Sequence, residues 1–448
     1  MSSRPKISWS DLRAGAVGVW GLGLEGSAAL RRLRQEGVTA PVLVDDHPAA
    51  LVMDGLPVLA TDRGGLEALA RCEVVVKTPG ISRYRPDVAG LQTEGVAVVG
   101  GLGLWMEGAD LGRVLCVTGT KGKSTTAAVA GHLLTRLGYR CLVAGNIGRP
   151  PYDPELGDDY DLWVVEVSSF QAADLASSPP VVAVTSLHAD HLDWHGDEET
   201  YFADKLSLCT LPGARVTVAD GSSDPLVSHR RLLGPEVRWV HLGDPELDGP
   251  WVDGLGLLGA HNRRNALIAR ACLAAMGVAA AAPGGEDALA EAAQGFTGLA
   301  SRLQHAGTVA GVDFVDDSLS TNVLATLAAL DTFPRRRLAL VVGGHDRGID
   351  YRPLAEALAR RDAPTLVLTL PANGPRIGAT LASVAAAHAT QVRDCPDLVT
   401  ATRGGFEWAK PDGVVLLSPA APSFGQFSDF ADRSAAFRAA ARSCAGSD

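Results

Sequence analysis

The sequence predicts an α/β fold in three domains, each built on a parallel-rich sheet. Short apolar runs alternate with longer helical patterns along nearly all of the 448 residues, the rhythm of repeated strand–helix units. That rhythm restarts three times, at "AVGVWGLGLEG", at "RVLCVTGTKGKSTT" and near "VDFVDDSLSTN". Gly-rich segments interrupt it near Glu107 and Leu299, which divides the chain into 1–107, 108–298 and 299–448.

Taken in order, the first domain opens with the strand "AVGVW", a glycine loop and the helix "SAALRRLRQEG", then the strands "PVLVDD" and "CEVVVKTPG". The second runs from "RVLCVTG" into the helical "AAVAGHLLTRLG", followed by "DLWVVEVSSFQ", "VVAVTSLHADHLD" and "ARVTVAD". The Ala-rich "VAAAAPGGEDALAEAA" reads as a helix end, a turn and a new helix. The third domain carries the strands "VDFVDD", "RLALVVGGHD", "PTLVLTL" and "GVVLLSPAA".

With 46% hydrophobic and 20% charged residues the composition is that of a soluble globular protein. A net charge of −11 argues against a general nucleic-acid binder, which needs a basic face. Seven scattered cysteines without a Cys-x-x-Cys pair read as reduced thiols. An N-terminus lacking an apolar signal core, and no apolar run of about 18 residues, lead to the expectation of a cytoplasmic protein without a membrane span.

Gly21, Gly23 and Gly26 form Gly-x-Gly-x-x-Gly between a strand and a helix. Backbone N–H groups at such a helix start can approach a diphosphate. Asp45, ending the next strand, stands where a carboxylate bonds a ribose hydroxyl. NAD or any nucleoside diphosphate suits this spacing, and so does a turn with no ligand. Gly119, Thr120, Lys121, Gly122, Lys123, Ser124 and Thr125 are more specific. Their N–H groups can wrap a triphosphate, with Lys123 on the β/γ oxygens and the Ser124 hydroxyl on Mg²⁺. Glu166 ends an apolar strand, a position from which a carboxylate reaches such a metal. "HADHLDWHG" gathers His188, Asp190, His191, Asp193 and His195. Zinc is one reading of that cluster, and one histidine serving Mg²⁺ among carboxylates, with its neighbours in solvent, is the other.

Together these stretches resemble the Mur ligases, ATP-dependent amide-forming enzymes of peptidoglycan synthesis. "GTKGKSTT", "GNIG", "EVSSFQ", "DHLDWHG…YFADK", "GAHNRRNA", "DDSLSTN" and "LLSPAAPSFGQF" occur in the family's order across nearly the whole chain. The resemblance implies a Rossmann-like N-terminal domain for the UDP substrate, a P-loop ATP-binding central domain and a Rossmann-like C-terminal domain for the amino acid. It implies ATP and Mg²⁺, with the N-terminal glycines and Thr78, Pro79 and Gly80 on the uridine diphosphate. Glu166 and His191 would serve the metals, and Asn146 and Ser168 the substrate. Lys205 would be carbamylated and orient a second Mg²⁺, where an unrelated helix would carry a surface lysine. Asn262 and Asn265 would meet adenine, or merely cap a helix, and Arg302 and Asp317 the ATP ribose or phosphates. Arg347, Ser423, Phe424 and Phe430 fall in the loops expected around the incoming amino acid.

The nearest pattern is that of members adding glutamate to UDP-N-acetylmuramoyl-L-alanine. D-glutamate-adding members usually have Lys at Leu319 and at Arg347, an acidic residue at Gly425, Asn at Ser186 and His at Ser301. Leu cannot bind a carboxylate, and Arg offers a planar fork instead of a point charge. These departures imply an altered amino-acid pocket and the branch that adds L-glutamate, leaving inversion to a separate epimerase. The ordinary D-glutamate ligase is the alternative. A monomer is expected from the resemblance.

Overall fold

The structure, a computed structural model, describes residues 4–384 and 390–445. It contains three six-stranded sheets. The first holds β1 (Val17–Trp20), β2 (Val42–Asp45), β3 (Val52–Met53), β4 (Leu56–Ala60), β5 (Val74–Lys77) and β6 (Ala97–Gly100), in the order β3-β4-β2-β1-β5-β6. The second holds β7 (Val114–Thr118), β8 (Cys141–Gly145), β9 (Leu162–Glu166), β10 (Val181–Val184), β11 (Val216–Asp220) and β12 (Glu236–Val240), in the order β12-β11-β10-β7-β9-β8 and all parallel. The third holds β13 (Gln304–Val309), β14 (Val312–Asp316), β15 (Leu338–Val342), β16 (Thr365–Thr369), β17 (Thr390–Asp394) and β18 (Val414–Leu417), in the order β13-β14-β18-β15-β16-β17. Only β3 with β4 and β13 with β14 pair antiparallel among these strands.

The central strands are continuous Val/Leu/Cys runs because helices cover both faces: every residue of β1, β7, β15 and β16 is buried. At the margins of the third sheet the apolar pattern is lost. β13 ("QHAGTV") and β17 ("TQVRD") alternate polar residues and stay half-exposed, since an edge strand needs no apolar run. The Ala-rich stretch, Val278 to Ala293, contains the expected turn and the new helix Glu286–Ala293 but no helix end: the preceding helix Ala260–Ala275 has already stopped, and only a short 3-10 turn forms at Ala279–Ala281.

In the first two sheets the order reverses beside the strand that feeds a glycine loop. β1 lies between β2 and β5, and β7 between β9 and β10. Each loop therefore opens into a crevice at the carboxyl ends of its strands, where α/β sheets bind ligands. The chain separates into two compact units, 1–255 with 264–296, and 256–263 with 297–448. The first unit contains two sheets sharing one core, in which Leu30, Leu102 and Tyr152 pack with Val165 and Leu175. In the second, helices bury both faces of the third sheet. Among the described residues no helix is long and apolar enough to cross a membrane.

Candidate active site

The N-terminal loop is held from both sides. Gly21 N–H donates to Val44 O at 2.8 Å. Asp45 accepts from the backbone N–H of Leu22 at 2.7 Å and of His47 at 2.9 Å, so its carboxylate ties the end of β2 to the loop. Gly26 must lack a side chain, because a Cβ there would run into the Gly21 carbonyl. Thr78 packs against both glycines and bonds Trp20 O through its N–H at 2.9 Å. The Pro79 carbonyl accepts from Trp194 Nε1 at 3.0 Å, while Gly23 and Gly80 are exposed.

After β7 the loop Gly119–Gly122 turns into the helix Lys123–Arg136. Gly122 sits at φ 91°, and a Cβ there would lie 2.5 Å from Asn265 Oδ1. Lys123 Nζ donates to the carbonyls of Gly119 (2.9 Å) and Thr120 (3.2 Å), which keeps its ammonium inside the loop. Ser124 and Thr125 are buried in the first turn. Ser186 braces this loop: its carbonyl accepts from Thr120 N–H at 2.9 Å, and its hydroxyl accepts from Lys121 N–H at 2.9 Å. Ser186, one of the departures from the D-glutamate-adding pattern, thus follows β10 and lies against the glycine loop.

Glu166 ends β9, paired in register with Val117 of β7, and is 1% exposed. Oε1 accepts from Asn146 Nδ2 at 2.7 Å. Oε2 is buried with no hydrogen-bond partner among the described residues. An orphaned carboxylate oxygen costs free energy unless a cation or donor meets it. Ser168 caps the short helix that follows, accepting from Gln171 N–H at 3.2 Å. The Lys205 amine, 2% exposed, donates to Gly119 O at 3.0 Å and lies 4.9 Å from the Tyr201 ring centre. Burial, with the Lys123 ammonium nearby, holds it well below the usual lysine range. This is no surface lysine. His191 is half-exposed at φ 52°, and burial lowers its imidazole below the ordinary value. Burial raises Asp190, but Lys121 at 3.2 Å and His191 outweigh it and keep the carboxylate ionised.

Of the expected His cluster, His195 is not in solvent. Its Nδ1 lies 2.8 Å from Asp204 Oδ2 and its Nε2 2.9 Å from Ser169 Oγ. The Tyr84 hydroxyl donates to the same Asp204 at 2.8 Å. This chain joins the "KTPGISRY" loop to the helix bearing Lys205; its link from Tyr84 to Asp204, 120 positions apart, was not legible in the sequence. Among the described residues no three His, Cys, Asp or Glu side chains form a metal cluster.

In the second unit Asp317 is 9% exposed, accepting from Leu303 N–H at 3.1 Å and Ser418 Oγ at 2.8 Å. Burial pushes its carboxyl up to about 7 despite those bonds. Arg302 is exposed nearby in sequence. Leu319 N–H donates to Ser301 O at 3.0 Å, so two departures from the glutamate-ligase pattern adjoin. The Arg347 guanidinium lies 6.0 Å from the Phe424 ring centre. Phe424 and Phe430 are exposed and Ser423 is buried. The buried Arg433 clamps the two loops, donating to Ser318 O at 2.7 Å and Ala421 O at 3.1 Å. No motif signalled it. Asn262 donates to Leu258 O at 2.9 Å, a helix-start contact, whereas Asn265 belongs to the first unit.

Two adjoining switch-point crevices, one lined by a triphosphate-type loop with a buried amine and an orphaned carboxylate, define a nucleotide-dependent enzyme. Residues 117–226 match the Mur ligase middle domain and residues 301–421 the Mur ligase glutamate ligase domain. A UDP-N-acetylmuramoyl-L-alanine–L-glutamate ligase of a Micromonospora species is 42% identical over 462 residues, covering 98% of each chain. The protein of that name from Xanthomonas axonopodis pathovar citri is 40% identical over 455 residues, covering 95% of this chain and 94% of its own. Among solved structures, the MurC ligase of Thermotoga maritima superposes with a TM-score of 0.56 at 18% identity, covering 96% of this chain and 99% of its own. The MurF ligase of the same organism, solved with ADP, gives 0.54 at 16% identity, covering 98% and 97%. The chain belongs to the Mur ligase family.

Proposed function

We propose that the protein joins L-glutamate to UDP-N-acetylmuramoyl-L-alanine, converting ATP to ADP and phosphate. The observation that carries this reading is the convergence at neighbouring strand ends β7 and β9: the glycine loop with Lys123, the orphaned Glu166 oxygen and the Lys205 amine. The N-terminal glycine loop, with Thr78, Pro79 and Gly80, would take the uridine diphosphate. Asn146 and Ser168 would meet the acyl end of the acceptor.

A free carboxylate is a poor electrophile, because expelling oxide is prohibitive. The terminal alanine carboxylate attacks the γ-phosphorus, the bond to the β-bridging oxygen breaks, and ADP leaves. The acyl phosphate then takes the glutamate amine at its carbonyl carbon. Phosphate departs with the bonding pair, and the amine proton passes to a base. Lys123 faces the charge that develops on the transferred group, the kind of help that contributes most in such sites. Mg²⁺ would offset phosphate charge, and oxygen ligands suit it. The buried, partnerless Glu166 oxygen and the Ser124 hydroxyl fit that ion. Lys205, its amine held well below the usual lysine range by burial, would add CO₂ and lose a proton, and the resulting anionic group with His191 would suit a second ion. Asn265, against the glycine loop, with Asn262, Arg302 and Asp317, would serve adenine, ribose and phosphates.

The names of the relatives, together with Leu319 and Arg347 in place of lysines, support the L configuration. Arg347 would hold a glutamate carboxylate, flanked by Ser423, Phe424 and Phe430. The product would pass to a separate epimerase. ADP release with UDP-N-acetylmuramoyl-L-alanine, ATP and Mg²⁺ tests the reading, with L- or D-glutamate added in parallel. Turnover with the L form alone is expected, and turnover with the D form alone would overturn the stereochemical assignment.

A further inference from the structure

Glu25 stands within the N-terminal Gly-x-Gly-x-x-Gly, in the first turn of the helix Leu24–Gln35. A carboxylate beside a diphosphate-binding helix start would repel the ligand if it faced the loop. It faces away. One oxygen accepts from Gln171 Nε2 at 2.8 Å and the other from the Tyr152 hydroxyl at 3.0 Å. Gln171 and Tyr152 are 4% and 2% exposed, so these bonds are made out of water and cannot be lost without leaving polar groups unpaired. The Tyr152 ring is fixed against Trp9, 5.2 Å between centres, and against Gly101, where a Cβ would lie 2.6 Å from its Cζ.

Gln171 is equally constrained at its other atom. Its Oε1 accepts from Ser168 N–H at 2.9 Å and from Ser168 Oγ at 3.1 Å. A backbone N–H demands an oxygen and a carboxylate demands an N–H, so the amide has one orientation only. The path Glu25–Gln171–Ser168 thus runs from the first glycine loop to the turn two residues beyond Glu166. Glu25 and Gln171 are separated by 146 positions.

Resting on the ligase reading above, we propose that Glu25 and Gln171 form a pin that sets the Ser168 turn relative to the uridine-nucleotide loop. Glu25 is a positioning residue: it touches neither reacting group and fixes where the acceptor carboxylate lies when the nucleotide end is seated. Displacements of about 1 Å at such a site cost about a hundredfold in rate.

The test exploits the polarity of the pair. Q171E sets two carboxylates face to face. Adding E25Q reverses donor and acceptor while preserving every bond: the new carboxylate at 171 accepts from Ser168 and from the new amide at 25, whose oxygen accepts from Tyr152. Q171E is expected to lower kcat about ten- to a hundredfold and raise KM for the uridine-nucleotide substrate, with KM for ATP within about twofold. E25Q/Q171E should return both to within about threefold of the original. A double variant no better than Q171E, or a loss falling equally on the KM for ATP, would overturn the pin. Silence of the unaltered protein with both glutamates would instead refute the ligase reading. The pin is then read from the same cycle in thermal unfolding, where recovery of the midpoint in the double variant supports it and its absence refutes it.

Discussion

Lys205 shows how far burial changes the meaning of a side chain. On an exposed helix its amine would be a hydrated cation; here it is out of water, bonded to Gly119 O, with the Lys123 ammonium nearby. Lowering the pKa of a lysine raises the share of its free amine, which is the form that attacks CO₂, while arginine in its place stays charged. K205R should lose about a hundredfold in glutamate-dependent ADP release. Intact mass of the unaltered protein in bicarbonate should show an adduct of one CO₂ that acid removes. Asp317 is the opposite case, a carboxyl raised to about 7 by burial. The folded chain holds a proton there that the unfolded chain releases. Its contribution to stability is therefore complete below about pH 4 and is lost as pH rises through about 7. D317N, which can keep the Leu303 bond, should flatten that slope when unfolding midpoints are compared across the range.

The first and second sheets both place their glycine loops at the strand where the order reverses, so the loop positions follow from topology once the strands are recognised. Gly122 makes the second loop possible, with φ 91° and Asn265 against it. G122A would impose a left-handed conformation on a residue with a Cβ, a cost of about 1–2 kcal/mol, and would press on Asn265. KM for ATP should rise while KM for the uridine nucleotide stays, and steady-state kinetics with each substrate varied in turn measures the difference. The helix Glu198–Leu206 does a different job. Asp204 and Lys205 are consecutive, and the first is held by Tyr84 and His195 so that the second reaches the glycine loop.

Across the first unit, the contacts between its two sheets are ionic as well as apolar. Arg31 binds Asp153 through Nε and Nη2 at 3.0 and 2.6 Å, and the buried Lys77 pairs with Asp174. Breaking the buried Lys77–Asp174 pair by removing one partner would leave an uncompensated charge and be strongly destabilising. The alternation of apolar runs, the two glycine loops, Glu166 at a strand end and the ordered motifs of the family were all legible in the sequence. Each is a local pattern, set by residues within a few positions of one another. The edge strands β13 and β17 were not, because water on one side removes the apolar signature. Nor were the partners of Glu25, the burial of His195, the bracing of the glycine loop by Ser186 or the clamp made by Arg433. Those depend on residues brought together from more than 60 positions apart in most cases. Desolvation and hydrogen-bond partners decide the charge and reach of a side chain, and both exist only once the chain has packed.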